Sequence, residues 1–268
     1  MPVIGPPGTA KSAAVRRVST ALGGSYFEYL LGRFTEPSEL FGTVDLNALR
    51  AGEVRLRTEG MLPEAEIAFL DEVFLGSTAI LNTLLSVLNE RRFRRGHTII
   101  ECPLRVCVAA ANHLPDDPAL DVFADRFLVR AFLEPLPDAA LEELLVAGAG
   151  LQNSAVRAVA DTQTLDRVAA RARACDRSAV QGPLAHAVRL LRKDGIALSD
   201  RRVVKAQKLT AAAAAMDGRA TADERDLWPL IYAIPTAEEQ SWSPRTKTVP
   251  STLMTCALRP HWTAHPRP

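Results

Sequence analysis

The sequence lacks three features that would assign a protein to a class at once: paired cysteine motifs, a long apolar run and a large net charge. Its four cysteines, Cys102, Cys107, Cys175 and Cys256, show no CxxC spacing, so neither a zinc site nor a disulfide framework is indicated. No run of about 18 apolar residues is present, which argues against a membrane-spanning helix. With 32 basic and 31 acidic residues, the chain has no overall field that would attract nucleic acid or an anionic membrane.

The composition that remains is that of a folded globular protein. The 268 residues are 47% apolar and 24% charged, which is enough apolar material to bury a core. Because compact domains cluster near about 100–150 residues, we predict one α/β domain followed by a smaller one. We expect a cytoplasmic protein, since nothing in the cysteine pattern indicates an oxidising compartment.

A glycine-rich turn near the start of the chain predicts a phosphate site. Residues 1–4 are an apolar run, and Lys11–Leu22 has helical spacing, so the turn joins a strand to a helix. Its residues nearly satisfy the P-loop pattern, in which backbone N–H groups and a helix N-terminus converge on phosphate oxygens. They are Gly5, Pro6, Pro7, Gly8, Thr9, Ala10, Lys11 and Ser12. An ordinary Gly/Pro turn is the alternative interpretation.

The side chains of this turn have separate predicted roles. Lys11 would neutralise the β- and γ-phosphates of ATP, and the Ser12 hydroxyl would bind Mg²⁺. Ala10 departs from the pattern, which has glycine at that position. A methyl group there costs little if the backbone is helical, but it matters if φ is positive.

An acidic pair follows the second apolar strand. Residues 67–70 are apolar and lead into Asp71 and Glu72, at the strand end where open α/β sheets bind ligands. Asp71 can hold the shell of Mg²⁺, and Glu72 can polarise a water for attack on the γ-phosphorus. A solvated acidic loop at a helix start is the alternative.

Two further polar residues are candidates for the same chemistry. Asn112 ends a predicted strand, where its amide could orient the attacking water, although a strand-end turn is a serious rival interpretation. Arg126 follows a helical turn and could reach the nucleotide of a neighbouring subunit. A surface salt bridge to Asp125 or Glu134 would explain the same arginine.

The pattern between these motifs predicts a parallel sheet covered on both faces by helices. Residues 43–62 and residues 92–101 read as hairpin insertions, whereas residues 79–88 recover a helical period and residues 104–111 form a buried strand. Alanine-rich helical stretches follow Pro135 and Pro137, at residues 139–147, 164–175, 183–193 and 200–216. We therefore predict an α/β core over residues 1–137, a small all-α lid over residues 138–240 and an irregular tail over residues 241–268.

Six segments, in a fixed order, resemble the MoxR family of AAA+ ATPases, most closely its RavA-like branch. They are GPPGTAKS, FEYLLGRFTEPSELFG, LPEAEIAFLDE, ILNTLLSVLNERRF, VAAANHLP and DRFLVR. The resemblance covers roughly residues 1–147 and implies a P-loop NTPase fold of AAA+ type. It also implies that residues 5–12 are Walker A, Asp71 and Glu72 are Walker B, Asn112 is the first sensor and Arg126 is an arginine finger acting in trans.

Further expectations rest on the resemblance alone. Residues 198–202 resemble the lid stretch with the second sensor, which makes Arg201 the preferred contact and Arg202 the second choice. Family members are hexameric, chaperone-like motors that remodel or mature protein complexes, often beside a von Willebrand factor A-domain protein. The family usually has residues before the P-loop and, in the RavA-like branch, domains after the lid, so the resemblance predicts a chain truncated at both ends.

Other functions remain open from the sequence. A nucleotide-binding module or fragment with impaired hydrolysis would carry the same motifs. Arg91, Arg92, Arg94 and Arg95 could serve a nucleic-acid motor, although such a charge run is usually a solvated face. A chelatase-type ATPase is a near relative, but no sequence feature points to a porphyrin partner.

Overall fold

The computed structural model describes residues 1–96, 98–151, 156, 158 and 160–240. The predicted tail, residues 241–268, lies outside the described residues. The chain divides into two compact units: Met1–Phe127 with Ala131–Thr164, and Leu128–Arg130 with the chain from Leu165 onward. Across the described ranges, no helix combines the length and the apolar character needed to cross a bilayer.

Strands and helices alternate through the first unit, and helices dominate the second. The strands are β1 (Pro2–Ile4), β2 (Tyr26–Leu30), β3 (Thr43–Val44), β4 (Leu56–Arg57), β5 (Ile67–Asp71), β6 (Arg92–Arg95), β7 (Thr98–Glu101), β8 (Val106–Ala111) and β9 (Ala131–Phe132). The α-helices are α1 (Lys11–Leu22), α2 (Pro37–Phe41), α3 (Leu46–Arg50), α4 (Thr78–Glu90), α5 (Pro118–Ala124), α6 (Leu141–Leu151), α7 (Thr162–Ala174), α8 (Ser178–Lys193), α9 (Asp200–Met216) and α10 (Ala237–Gln240). Short 3₁₀ helices cover Leu62–Glu64, Val73–Leu75, Asp138–Ala140 and Glu224–Ala233.

Five strands form one parallel sheet in the order β2-β5-β8-β1-β9. Ala109 of β8 pairs with Pro2 of β1 on one side and with Leu70 of β5 on the other. Parallel strands end at a common edge, and neighbouring strands lie about 5 Å apart. The residues that follow β1, β5 and β8 therefore lie side by side at the carboxyl edge of the sheet.

Both faces of this sheet are buried, as a parallel sheet requires. On one face, Leu70 of β5 packs in a cluster with Leu84 of α4. On the opposite face, Phe69 of β5 packs in a cluster with Val15 of α1. Side chains of β5 alternate between the two clusters, so both faces of the strand are buried and its sequence is continuously apolar.

Two small antiparallel hairpins, β3–β4 with α3 between its strands and β6–β7, extend from the first unit. The ring of Phe41 stacks on Phe93 of β6, with centroids 5.0 Å apart and planes 7° apart. The Arg95 guanidinium donates to the carbonyl oxygen of Gly42 at 3.3 Å. These two contacts tie β6 to the residues that lead into β3.

The second unit has its own core and its own ion pairs. Its buried apolar cluster includes Val180 and Leu184 of α8, together with Leu230 of the last 3₁₀ helix. The guanidinium of Arg225 donates to the Asp223 carboxylate, and this hydrogen bond holds the pKa of Asp223 at about 2. The unit is therefore a packed body rather than a loose set of helices.

Most predicted elements occur where the sequence places them. The helices Lys11–Leu22 and Asp200–Met216 are confirmed at both ends, and both predicted hairpins are present. The prediction that a lid helix begins at Pro183 was wrong, because α8 begins at Ser178 and contains this proline. Val180 and Leu184 are both buried one turn apart, and this packing outweighs the lost N–H of Pro183.

The division of the chain differs from the predicted boundary at residue 137. Helix α6 clusters with the first unit, which extends to Thr164, while Leu128–Arg130 clusters with the second. The alanine-rich composition after Pro137 indicates helices, but it does not reveal the body on which each helix packs.

Candidate nucleotide site

Three segments meet at the carboxyl edge of the sheet. The glycine-rich turn follows β1, Asp71 ends β5 and Asn112 follows β8. Strand β8 lies between β1 and β5, and the Gly5 N–H donates to the Ala111 carbonyl oxygen at 3.2 Å. The fold therefore places Lys11 and the acidic pair Asp71–Glu72 at the same edge, as a shared site requires.

The turn needs glycine at two of its positions for different reasons. A Cβ atom on Gly5 would lie 2.5 Å from the carbonyl oxygen of Leu133, the residue that follows β9, so there is no room for a side chain. Gly8 has a φ of 87°, which glycine adopts without steric cost. These constraints hold the backbone of the turn close to the sheet edge.

Ala10 occupies the left-handed region, with φ 57° and ψ 26°. The backbone there is not helical, so the departure from glycine has a steric cost. A left-handed conformation costs an alanine roughly 1–2 kcal/mol relative to a right-handed one. The turn thus carries a strained alanine at the position where the P-loop pattern has glycine.

Replacing this alanine tests the strain directly. We expect Ala10→Gly to raise the free energy of unfolding by about 1 kcal/mol, because glycine relieves the left-handed strain. The matched control is Ala14→Gly, at an exposed position inside α1, which should lower stability by about the same amount. Urea unfolding followed by circular dichroism measures both. Equal destabilisation by the two variants would contradict a strained Ala10.

The N-terminus of α1 is open toward the turn. Ala10 is the N-cap and supplies no side-chain hydrogen bond, and the first turn has no acidic residue. The first N–H groups of any helix lack intrahelical acceptors, and they carry a partial positive charge that favours anions. Lys11 adds its ammonium, which donates to the carbonyl oxygens of Gly5 at 2.7 Å and Pro6 at 3.1 Å.

The acidic pair is positioned by an unusual backbone conformation. Glu72 has φ 50° and ψ 44° and precedes the 3₁₀ helix Val73–Leu75, while its N–H donates to the Asp71 carboxylate at 3.0 Å. Such strain in a non-glycine residue is concentrated at functional sites. The conformation turns Glu72 away from the line of β5.

Asn112 contacts Glu72 across the sheet edge. Its side-chain amide donates to Glu72 Oε1 at 2.6 Å, and the two residues follow the neighbouring strands β8 and β5. The structure thus joins the acidic pair and the asparagine into one polar group. A strand-end turn alone would leave the Asn112 side chain without this carboxylate contact.

The oxygen donors fit a magnesium ion that is shared with phosphate. Mg²⁺ usually binds through one or two protein oxygens and completes its shell with phosphate oxygens and water. Ser12 and Asp71 are half-buried oxygen donors on the two sides of the site. Within the described ranges, no group of three or more His, Cys, Asp or Glu side chains could hold a metal ion unaided.

A contact that sequence reasoning missed ties α1 to the edge strand. Arg16 of α1 donates through two nitrogens to the Glu28 carboxylate of β2, at 2.7 and 2.6 Å. This hydrogen bonding lowers the pKa of Glu28. The pair fixes the helix that follows the turn, and the alternation of polar and apolar residues in Tyr26–Leu30 was the available signal for β2.

The candidate arginines lie in different surroundings. Arg126 follows α5 in the first unit and is half-buried, with its N–H donating to the Phe123 carbonyl oxygen at 3.0 Å. Arg201 is exposed on α9 of the second unit. Arg202 is 1% exposed, and its guanidinium donates to the carbonyl oxygens of Leu128 and Ala233. Its contacts give Arg202 a structural place inside the second unit.

The two adjacent arginines should therefore differ in their effect on stability. We expect Arg202→Met to lower the free energy of unfolding by about 2–4 kcal/mol, because the buried carbonyl oxygen of Ala233 and the partly buried one of Leu128 lose a charged donor. Arg201→Met is the matched control and should change stability by less than about 0.5 kcal/mol. Urea unfolding of both variants measures this difference. A denaturant midpoint of Arg202→Met equal to that of the wild type would refute the structural role of Arg202.

Two sequence families match the chain. The MoxR domain of MoxR-vWA-beta-propeller ternary systems matches residues 1–170. The chain belongs to the MoxR family of AAA+ ATPases. An AAA lid domain matches residues 184–243, which agrees with the helical second unit of this MoxR protein.

Three sequence relatives of this MoxR chain are uncharacterized or viral structural proteins. Two uncharacterized proteins of Methanocaldococcus jannaschii are 36% and 35% identical to it, each over 225 residues that cover 84% of the chain. The chain spans 60% and 59% of their lengths. A structural protein of Acidianus two-tailed virus is 33% identical over 141 residues, which cover 50% of the chain and 23% of the viral protein.

A solved structure supports the fold. The crystal structure of a candidate ATPase from Cytophaga hutchinsonii matches with a TM-score of 0.69, over 96% of this chain and 83% of that chain. The identity is 17%, so the likeness concerns the fold alone. The predicted P-loop fold of AAA+ type, with a parallel sheet flanked by helices and a helical lid, is confirmed.

Proposed function

We propose that this MoxR domain is the ATP-hydrolysing core of a RavA-type motor that remodels or matures other protein complexes. The observation that carries the proposal is the convergence of three segments at one sheet edge. The phosphate-binding turn starts beside Ala111, and Asn112 reaches the Glu72 carboxylate at 2.6 Å. The strand order β5-β8-β1 brings these segments to one edge although they lie far apart in the sequence, and the residue types found there are those that phosphate transfer needs.

The residues of the site divide the chemistry of phosphate transfer among them. The N–H groups at the start of α1 and the Lys11 ammonium bind phosphate oxygens. Ser12 and Asp71 would hold Mg²⁺, which supplies charge neutralisation at those oxygens when bound. Glu72 accepts a proton from the attacking water, since a carboxylate at the strand end is within reach of solvent and phosphate.

Asn112 has a positioning part in this scheme. Its amide holds one carboxylate oxygen of Glu72, which leaves the second oxygen to face water. The strained backbone of Glu72 and this hydrogen bond fix the direction of the carboxylate from two sides. Positioning of this kind, together with electrostatic stabilisation, accounts for most of the catalysis in phosphoryl transfer.

A ring would complete the site. Arg126 of one subunit would stabilise charge at the nucleotide of the next, and Arg201 of the lid would add a second cation. Such a heterologous contact forms a ring when the rotation between neighbours closes, and we propose a closed hexamer. The hairpins β3–β4 and β6–β7 would move together, because Phe41 stacks on Phe93.

The targets we propose are proteins. The matching family is described from ternary systems with a vWA protein, which supports a von Willebrand factor A-domain partner. A nucleic-acid role is disfavoured, because Arg91, at the end of α4, and the three arginines of β6 have partners inside the protein. These are Arg91 with the Leu88 carbonyl oxygen, Arg92 with Glu101, Arg94 with Glu90 and Arg95 with the Gly42 carbonyl oxygen.

Magnesium-dependent phosphate release tests the proposed function. The purified chain should hydrolyse ATP with a turnover rate per subunit that rises with protein concentration, because a second subunit completes the site. Chelation of Mg²⁺ by EDTA should abolish this hydrolysis. Tight nucleotide binding with no turnover at any concentration would instead support the hydrolysis-impaired module.

A further inference from the structure

An almost fully exposed phenylalanine lies beside the candidate site. Phe34 is 95% exposed in the turn that follows β2. The turn is held by two hydrogen bonds, from the Gly32 N–H to Thr35 Oγ1 at 2.8 Å and from the Thr35 N–H to the Gly32 carbonyl oxygen at 3.1 Å. The ring is therefore presented to solvent by an ordered backbone.

The turn is attached directly to the acidic pair. The Leu31 N–H donates to the Asp71 carbonyl oxygen at 2.9 Å. A Cβ atom built on Gly76 would lie 2.9 Å from Leu31 Cδ2, so the segment after Glu72 packs against the end of β2. The exposed residues of both segments thus belong to one area of the surface.

We name this area the edge patch and define it by Leu30, Arg33, Phe34 and Leu75. Leu30 is 65% and Leu75 42% exposed, and Arg33, which precedes Phe34 in the chain, is also exposed. Single exposed apolar residues need no explanation. Three of them with an arginine, on segments bonded to the acidic pair, have the composition of an interface centre.

The first unit also carries a surface of complementary character. Between Asn112 and Arg126 the chain contains no lysine or arginine and four aspartates, Asp116, Asp117, Asp121 and Asp125. Within this stretch lies α5, on which Val122 is 62% exposed and Asp121 is exposed. An acidic surface with an exposed apolar side chain matches the basic and apolar edge patch.

We propose that the edge patch binds α5 of a second copy of this chain, with Phe34 packed on Val122 and Arg33 facing Asp121. The inference rests on the proposed function, in which Arg126 acts on the neighbouring site. A copy that delivers Arg126 to Glu72 brings the preceding helix, α5, to the same edge. The two surfaces differ, so the contact is heterologous, and its repetition gives a ring when the rotation between neighbouring copies closes.

Sedimentation velocity of the full chain with Mg²⁺ and AMP-PNP tests the contact. Phe34→Ser should weaken self-association by about tenfold or more, because a rigid aromatic at an interface centre dominates binding. The matched control is Met216→Ser, which removes a single exposed apolar side chain, 68% exposed at the end of α9, and should leave self-association unchanged. Thermal unfolding should be the same for both variants, since neither side chain is buried.

Charge reversal identifies the partner surface. Arg33→Glu should weaken self-association, and Arg33→Glu combined with Asp121→Arg should restore it. Failure of the double variant to recover, or wild-type assembly by Phe34→Ser, would overturn the proposal. Normal assembly of Phe34→Ser with loss of ATPase stimulation by an unfolded polypeptide would assign the patch to substrate instead.

The failure of this proposal can be told apart from failure of the proposed function. Binding of a fluorescent ATP analogue is measured for every variant at low protein concentration. If the wild type binds nucleotide but never self-associates, the docking proposal is overturned and the nucleotide site stands. If it does not bind nucleotide, the proposed function fails, while the concentration-dependent self-association of wild type and Phe34→Ser still decides the docking contact.

Discussion

Glu72→Gln is expected to lower the rate of ATP hydrolysis by about 10²–10⁴-fold, the usual contribution of a positioned proton acceptor. Glutamine keeps a side-chain oxygen that can accept the Asn112 amide, so the contact seen at 2.6 Å is preserved. The change removes the negative charge and the basicity while it leaves the shape of the site. Nucleotide affinity should therefore remain close to that of the wild type.

Steady-state phosphate release and equilibrium binding of an ATP analogue separate these two effects. Glu142→Gln is the matched control, because it makes the same chemical change at an exposed position of α6, and its rate should equal that of the wild type. Equal rates for Glu72→Gln and the wild type would remove Glu72 from the chemistry. Loss of nucleotide affinity by Glu72→Gln would show that the residue has a binding role instead.

Arg126→Ala should reduce hydrolysis by about 10³-fold or more, because an arginine that stabilises transferred phosphate charge has an effect of that size. Arg126 is half-buried, so the variant must first be shown to unfold at the wild-type temperature. Arg126→Lys should recover little activity, since lysine lacks the planar fork of the guanidinium. Nucleotide binding by isolated subunits should be unaffected, because the residue acts on the neighbouring site.

A mixture of two inactive proteins tests the action in trans. When Arg126→Ala and Glu72→Gln are mixed at equal amounts, about a quarter of the heterologous interfaces pair an intact Glu72 with an intact Arg126. The mixture should then hydrolyse ATP far faster than either protein alone. A rate equal to the sum of the separate rates would show that the two residues serve the same subunit or that no ring forms.

The sequence alone was enough to propose the parts of the candidate site that lie within contiguous segments. The turn at residues 5–12 and the pair Asp71–Glu72 could be read directly, because strand, turn and helix follow one another in the chain. The contact between Asn112 and Glu72 could not, since it depends on β8 lying beside β5. Strand order is a property of the assembled sheet, and local periodicity does not encode it.

Backbone conformation and helix phase account for the rest. The sequence could not predict the positive φ of Ala10, because alanine in isolation favours right-handed conformations. It indicated only that a positive φ at this position would have a steric cost. Arg201 and Arg202 are adjacent residues of the same type, so residue type alone does not distinguish them. The small residues Ala206 and Thr210, however, lie one and two helical turns after Arg202. That period was a usable signal that Arg202 faces the core, and both small residues are buried.

The edge patch shows a different limit. A phenylalanine within Leu30–Thr35 reads as a core residue by composition, since large apolar side chains are usually buried. The hydrogen bonds of Thr35 and the link from Leu31 to Asp71 turn it outward instead. Exposure of this kind follows from the tertiary position of a turn.

Anomalous diffraction from crystals grown with Mn²⁺ and AMP-PNP tests the shared nucleotide site most directly. We expect one manganese peak about 2 Å from the Ser12 hydroxyl, with the Asp71 carboxylate bound directly or through one water and the Lys11 ammonium on the phosphates. A nucleotide bound elsewhere, or a manganese ion beyond the reach of Asp71, would contradict the account.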